Sequence, residues 1–152
     1  MKTGIILASL VLLAACCMPV AAEEPTSRYS YITFQSVDIT LEDTVATVTV
    51  QYSIDTGIEF LVMLLGTHDL RMKLLRAMNF EDARIESANM TQAVIMVDSA
   101  SYDYGDNTYW FPRHSFLVTV PKLTISTPLT KRNFYMIHDI DFGIGYSGRR
   151  SD

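Results

Sequence analysis

The sequence predicts an α+β fold, in which a mainly antiparallel β-sheet carries a two-helix insert on one face and follows an N-terminal hydrophobic export segment. Three stretches of the chain predict it. Apolar residues alternate with polar ones between 37 and 54, recur every three or four residues between 58 and 78, and alternate again after 82. A period of two is typical of strands and a period of 3.6 is typical of helices, and short turns let sequential strands pair antiparallel.

The first 22 residues form the export segment. Lys2 supplies a positive charge, an unbroken small and apolar run extends from Gly4 to Ala15, and small residues follow just before the acidic pair Glu23 and Glu24. This order of charge, apolar run and small residues is that of a signal for export. The chain after it is therefore expected outside the cytoplasm, at the cell surface or envelope.

Three fates of this segment remain open. Leu13–Cys16 has the form of a lipobox, which predicts lipid attachment at Cys16. Val20–Ala22 is an ordinary small-residue cleavage site, which would release a soluble protein. The 19 residues Gly4–Ala22 are also just long enough to stay in a membrane as a helix. We favour the lipid anchor, with residues 23–28 as a polar tether.

Composition limits the partners of the body of the chain. All 17 acidic residues but only 11 of the 12 basic ones follow residue 22, which gives a net charge of −6. Nucleic acid is not an expected partner, because phosphate binding requires clustered positive charge. Both cysteines lie in the export segment, so a packed core must stabilise the body without disulfides.

The first predicted strands form a hairpin. Residues 44–54 alternate cleanly, and residues 37–41 alternate before them. A two-residue turn at Glu42–Asp43 places Val37 and Ile39 on the same face as Ala46 and Val48. The apolar phase changes at Gln35–Ser36, which predicts a bulge.

Two short helices are predicted next, at about 57–65 and 68–78. Gly66 and Thr67 form the corner between them, with Thr67 as the N-cap of the second helix. The first helix is apolar nearly all round, which indicates either deep burial or a membrane-facing surface, and at this length we favour deep burial.

The remainder is predicted to be β-structure within one domain, residues 29–142. We expect a hairpin of 82–88 and 91–99 around Asn89–Met90, with the second strand in the interior of the sheet. A loop at 102–107, a strand at 109–120 with Pro112 at a sheet edge, a turn at Pro121–Lys122, and strands at 123–127 and 133–138 follow. The tail, 143–152, is expected to be loosely ordered.

Three short segments resemble a family of small exported proteins of archaea, chiefly methanogens, that has no assigned function. They are the apolar helix with its glycine corner (Phe60–Thr67), the acidic turn Asn79–Asp82 and the strand segment Asn133–Tyr135. The Pro128–Thr130 turn departs from the Pro-Asn/Asp-Gly turn expected there. The resemblance implies an extracytoplasmic, envelope-associated protein, and it assigns no active residue.

Histidines and aspartates are the candidates for catalysis or metal binding. An enzyme would need at least two of them to converge in one cleft, and zinc would need three or four ligands. The spacing in the sequence does not predict either arrangement, and we expect His114 on an exposed strand surface. We therefore predict no enzyme, no metal and no cofactor; the residues to check are His68, His114, His138, Asp103, Asp139 and Asp141.

Two further patterns concern the loops. Asp103, Asp106 and Asn107 offer oxygen atoms, but their spacing is not that of a calcium loop, and such residues are common in turns. Asn89-Met90-Thr91 is a glycosylation sequon at a predicted turn of an exported chain, so Asn89 is the candidate for modification.

The densest aromatic cluster is the candidate binding surface. Aromatic side chains around a polar loop suit sugar or peptide binding, and they also suit the edge of a core. The cluster consists of Tyr102, Tyr104, Tyr109, Trp110 and Phe111.

The sequence thus predicts an uncharacterised extracytoplasmic protein of the envelope, membrane-anchored through its N-terminal segment. We expect it to act by interaction with an unknown protein or envelope partner, and not as an enzyme. The alternative is a small ligand-binding module that uses the aromatic loop at 102–111.

Overall fold

A computed structural model describes residues 29–149, with two helices and nine strands in that range. In chain order the elements are β1 (Ile32–Glu42), β2 (Val45–Ile54), α1 (Thr56–Leu65), α2 (His68–Met78), β3 (Ala83–Ala88), β4 (Gln92–Val97), β5 (Tyr102–Asp103), β6 (Thr108–Phe111), β7 (His114–Ser126), β8 (Lys131–Ile140) and β9 (Ile144–Ser147). The predicted export segment, with Cys16, and the predicted tether lie outside the described residues.

The strands form two sheets. The main sheet has the order β3-β4-β2-β1-β7-β8, and a smaller sheet has the order β5-β6-β9. All neighbouring strands are antiparallel except β1 and β7, which pair in parallel, with Val37 opposite Leu123. The predicted α+β class and the mainly antiparallel main sheet are confirmed, whereas the expectation of one sheet is wrong.

The first hairpin is confirmed, with a change of turn. Asp43 and Thr44 form the turn, and Asp43 has a φ of 52°. The register therefore pairs Ile39 with Val48, which differs by two residues from the predicted pairing. Because side chains alternate with a period of two, a shift of two keeps the predicted faces. The predicted bulge is also present, between Phe34 and Ser36.

The two helices begin and end close to the predicted residues. Gly66 forms the corner with a φ of 92°, in the left-handed region that glycine tolerates. Thr67 precedes α2 as expected, although its side chain makes no capping hydrogen bond. Helix α2 packs on β7 and β3 through one buried stripe, which consists of Leu70, Leu74, Ala77 and Met78.

The hairpin around Asn89–Met90 is confirmed as β3 and β4, and β4 lies in the interior of the main sheet as predicted. The long strand predicted at 109–120 is instead divided at Pro112. The part before it is β6, in the small sheet, and the part after it belongs to β7. Proline supplies no backbone N–H, and at Pro112 the chain leaves one sheet for the other.

The predicted turn at Pro121–Lys122 is wrong, because β7 continues to Ser126. Its register against β8 shifts between Ser115 and Val120, and its pairing with β1 begins at Leu123. Pro121 therefore lies next to the irregular stretch and before the parallel ladder. Its missing N–H therefore lies outside the ladder that β7 forms with β1.

The described part of the tail, residues 143–149, is ordered where the sequence suggested that it is loose. Residues 144–147 form β9, which pairs with β6. The Tyr146 hydroxyl donates to the carbonyl of Asp43 at 2.5 Å, and its oxygen accepts from the Ser101 hydroxyl at 2.8 Å. Ile144 and Tyr146 are buried, so this segment is part of the core.

One face of the main sheet carries the core, with Val37, Ile39, Val48 and Ile95 fully buried. The small sheet lies at the turn end of the first hairpin, because Tyr146 contacts Asp43 there. The start of the described chain and α1 lie at the opposite end. Strand β1, whose 11 residues span about 35 Å, separates these two ends.

Candidate functional site

The small sheet presents an aromatic surface to solvent. Tyr102 pairs with Trp110 across β5 and β6, so their side chains share one face of the sheet. Tyr104 follows in the adjoining turn. Tyr102, Tyr104 and Trp110 are 62%, 73% and 42% exposed, respectively. We call these three residues the outer aromatic face.

Two glycines of the tail lie beneath the indole of Trp110. Gly145 is the β9 partner of Trp110, and Gly143 lies just before β9. A Cβ atom built on Gly143 would be 2.1 Å from Trp110 Cζ2, and one on Gly145 would be 3.4 Å from Cε3. The indole therefore lies directly on bare backbone at Gly143, and any side chain there would displace it.

The inner face of the same sheet packs toward the core. Phe111 is 1% exposed and lies 6.4 Å from Phe80, ring centre to ring centre. The Tyr109 ring stacks on that of Tyr146 at 5.7 Å. Burial, with the charges of Asp43 and Asp103 nearby, raises the pKa of the Tyr109 hydroxyl. These contacts of the inner face hold the outer aromatic face in place.

The predicted five-residue surface is therefore divided between two faces. Tyr102, Tyr104 and Trp110 are exposed, whereas Phe111 belongs to the core and Tyr109 is half-buried; the role of the exposed residues in binding stays a prediction. The sequence reasoning missed Gly143 and Gly145. Their alternation with the buried Ile144 and Tyr146 was the signal for a strand with one face against the core.

The oxygen-bearing residues beside this surface have roles in the turn. Asp103 Oδ1 accepts a hydrogen bond from the Gly105 N–H at 2.8 Å, and Asn107 Nδ2 donates to the Gly148 carbonyl at 3.0 Å. Asp106 and Asn107 adopt φ values of 50° and 60°, which aspartate and asparagine tolerate better than most residues. These contacts shape the turn that carries Tyr104.

A cleft of about 360 Å³ lies between the end of α2, the start of β7 and the small sheet. Its lining includes Phe80, Tyr102, Phe111 and His114. A second cleft, of about 440 Å³, is lined by Pro112, Arg113, Ser115, Ile140 and Asp141. Each cleft contains one of the six candidate catalytic residues.

His114 is partly buried, which corrects the prediction that it lies on an exposed surface. Its ring stacks on Phe80 at 3.8 Å and meets Phe116 edge-on at 4.8 Å. Its Nε2–H donates to the carbonyl of Met78, in the last turn of α2, at 2.8 Å. Burial lowers the pKa of the His114 imidazole, so the neutral ring is favoured. These contacts give His114 a packing role between α2 and β7.

The remaining candidates are spread over the molecule. His68 lies at the start of α2, and His114 contacts its end. His138 Nδ1 and its sequence neighbour Asp139 Oδ2 are 3.0 Å apart on an exposed strand. Between residues 29 and 149, no group of three or more histidine, cysteine, aspartate or glutamate side chains is arranged to hold a metal ion.

Asn89 is exposed in the β3–β4 turn. Its Oδ1 accepts hydrogen bonds from the backbone N–H groups of Thr91 and Gln92, each at 2.8 Å. This geometry gives the asparagine a role in the turn and leaves it accessible. Its glycosylation stays a prediction.

Helix α1 carries a second exposed apolar surface, which overturns the predicted deep burial of this helix. Among the side chains of α1 that the structure describes, Val62 is buried, at 9% exposure. The exposed side chains, which we call the apolar face of α1, are Phe60 (68%), Leu61 (44%), Met63 (71%) and Leu64 (68%). A uniformly apolar helix has no distinct buried stripe, and here the sheet is covered by α2 instead.

Among the described residues, neither helix has the length and apolar character needed to span a membrane. The chain matches no protein-family model, no curated protein and no solved structure. The resemblance to exported archaeal proteins therefore stays a prediction from the residues that carry it.

Proposed function

We propose that this protein is an extracytoplasmic component of the cell envelope, held at a membrane by its N-terminal segment, that acts by binding a partner and not by catalysis. The observation that carries the proposal is the placement of its two exposed apolar surfaces. One lies where the chain leaves the N-terminal segment, and the other lies at the far end of the first hairpin.

Backbone and side-chain contacts fix the start of the body beside the helices. The Asp55 N–H, which precedes α1, donates to the Tyr31 carbonyl at 2.9 Å. The Tyr31 hydroxyl donates to Asp69 Oδ2 in α2 at 2.6 Å, and Lys73 Nζ lies 4.3 Å from the centre of the Tyr31 ring. A chain entering at Tyr29 therefore reaches the helices first, so an anchor would place this end toward the membrane.

The outer aromatic face would then point away from the membrane, toward partners in the envelope. Aromatic side chains supply large contact areas at low entropic cost, and they are enriched in binding surfaces. Tyr102 borders the first cleft, and Tyr104 and Trp110 lie outside both clefts, so most of the face is open to an extended partner such as a protein surface. Tyr102, Tyr104 and Trp110 are the contact residues that we assign to this function.

Sugar or peptide binding at the same face is the second candidate. The observation that favours it is the indole of Trp110, which Gly143 and Gly145 support from behind. An indole held flat in this way offers a surface for stacking on a sugar ring. This candidate predicts direct binding of soluble glycans or short peptides, whereas the first predicts binding of a macromolecular partner alone.

Membrane fractionation of cells that express the full chain tests the anchor. Cys16→Ser removes the predicted lipid attachment site, and Cys17→Ser is the matched control one residue away. A lipid anchor predicts that Cys16→Ser releases the protein and that Cys17→Ser does not. Retention of both variants would favour an uncleaved helix, and a soluble wild-type protein would contradict the proposal.

Alanine substitution tests the binding face. Trp110→Ala, Tyr102→Ala and Tyr104→Ala together should abolish capture of the envelope partner by the full-length protein. Tyr135→Ala is the control, because Tyr135 is 66% exposed on β8, away from the small sheet. Equal loss of capture in both proteins would contradict the assignment of the face.

A further inference from the structure

The apolar face of α1 is not accounted for by the fold. Helix α1 has 10 residues, and four of its described side chains are large, apolar and exposed within five consecutive positions. At about 100° per residue, Phe60, Leu61, Met63 and Leu64 cover an arc of about 160°, opposite the buried Val62. The face is continuous, and such faces on soluble domains commonly mark a contact surface.

The scarcity of charged residues in α1 distinguishes this face from the rest of the protein surface. Glu59 is the acidic residue of α1, and the helix contains no lysine or arginine. Contact at this face would therefore depend on burial of apolar side chains and not on attraction to charged groups. It would change little with salt concentration.

The N-terminal segment determines which partner lies near the apolar face of α1. Residues 23–28 connect it to the body, and six residues reach at most about 20 Å. The described chain begins at the end of the molecule where α1 lies, because the Tyr31 carbonyl accepts a hydrogen bond from the N–H of Asp55, just before α1. A membrane that holds Gly4–Ala22 would thus lie within reach of α1; an anchor at Cys16 would allow a tether about twice as long.

We propose that the apolar face of α1 lies in the interface of the lipid bilayer that holds the N-terminal segment. This proposal rests on the membrane anchoring set out under the proposed function. The bilayer is a fluid apolar partner, so it requires no complementary shape. The anchor keeps the helix close to it, so a small contact area suffices.

A second copy of the chain fits this face less well. Four side chains exposed to this degree offer on the order of 400 Å² of contact area. A stable protein interface buries about 800 Å² per partner. Interfacial helices that join a membrane beside a separate anchor have no such threshold, because each buried methylene adds to binding already established.

A depth measurement on the full chain in phosphatidylcholine vesicles tests the proposal. The Trp110→Phe background removes the single native tryptophan, and Phe60→Trp then reports from the apolar face. We expect blue-shifted emission and strong quenching by lipids that carry bromine near the headgroup. Met63→Trp in the same background should behave alike, and it serves if Phe60→Trp fails to fold.

Leu129→Trp is the matched control. Leu129 is 76% exposed in the β7–β8 turn, and the parallel pairing of Ser126 with Thr40 places that turn toward the small sheet. We expect its emission to remain unquenched by the same lipids. The contrast between the two positions should be unchanged by high salt.

The outcomes separate the two proposals. If the protein floats with the vesicles but both positions are equally unquenched, the contact of α1 with lipid is wrong and the anchoring stands. Blue-shifted but unquenched emission at position 60 would overturn the lipid contact in favour of a second copy or of the N-terminal segment as occupant. A protein that does not float with vesicles would overturn the anchoring itself.

Discussion

The two exposed apolar surfaces of this protein are held in place in different ways. The apolar face of α1 belongs to a helix in which Val62 is the one buried residue among the side chains that the structure describes. The outer aromatic face belongs to a sheet whose other side contains buried Phe111 and Tyr146, and its tryptophan lies on glycine backbone. The difference suggests different partners: a loosely supported face suits a fluid bilayer, and a rigid one suits a partner of defined shape.

Removal of one phenyl ring from each surface should give the largest contrast. Phe111→Ala should lower the free energy of unfolding by about 3–5 kcal/mol, because it leaves a cavity beneath the small sheet. Phe60→Ala makes the same chemical change in α1 and should cost ~0.5 kcal/mol or less without membrane. Urea unfolding of both variants measures this, and equal losses would break the comparison.

Substitution of the glycines beneath Trp110 should have a smaller effect on the free energy of unfolding. Gly143→Ala should cost about 1–3 kcal/mol, because its Cβ would overlap the indole and force a shift. Gly145→Ala is the matched control, since its Cβ would meet the ring at an ordinary contact distance. Trp110 fluorescence and urea unfolding should both change in the first variant and little in the second. A silent Gly143→Ala would mean that the indole is not held there.

Removal of one tyrosine hydroxyl at each end of the molecule compares the stability that side-chain hydrogen bonds supply at the small sheet and beside the helices. Tyr146→Phe removes the bonds to Asp43 and Ser101 and should cost about 1 kcal/mol. Tyr31→Phe removes the bond to exposed Asp69, which keeps its contact with Lys73 at 3.0 Å. It should cost ~0.5 kcal/mol or less. Thermal unfolding would reveal the order, and the reverse order would contradict the rigid support of the small sheet.

As the pH falls, the stability contributed by His114, beside the small sheet, should be lost before the stability contributed by Asp69, at the start of α2. Burial lowers the pKa of His114 in the folded state, so the unfolded chain binds the proton more tightly. Stability from this residue is complete above about pH 6.5 and is lost as the pH falls through the folded pKa. Asp69, whose pKa is lowered by hydrogen bonds from Tyr31 and Lys73, loses its contribution only below about pH 4.

Urea midpoints measured between pH 7 and pH 5 check this order. We expect a decline in the wild type that is absent in His114→Gln. The matched control His138→Gln should keep the decline, because His138 is exposed beside Asp139. A flat profile in the wild type would show that His114 titrates as it does in the unfolded chain.

Local patterns were enough to predict the helices, the two hairpins and the bulge at Gln35. Each depends on periodicity or turn chemistry within about 20 residues. The parallel pairing of β1 with β7 joins residues such as Val37 and Leu123, and no local pattern encodes it. The continuation of β7 through Pro121 was missed for the same reason, because it depends on pairing with β8 and with the distant strand β1.

The candidate site was predicted in part. The aromatic density at 102–111 identified the three exposed residues, but it did not identify which side each faces, because the strand boundaries there depend on β9. The apolar composition of α1 was correctly recognised, and its burial was wrongly inferred. Composition shows that a surface favours a nonaqueous partner, and it does not show whether that partner is the same chain.

The intact mass of the native protein, extracted from the membranes of its own cells, tests the central claim of a membrane-held body most directly. The account predicts a chain that begins at a lipid-modified Cys16, or the full-length chain with its apolar segment retained. The same spectrum would reveal a sugar on Asn89. An unmodified chain that begins at Glu23 would contradict the account, because nothing would then hold α1 against a bilayer.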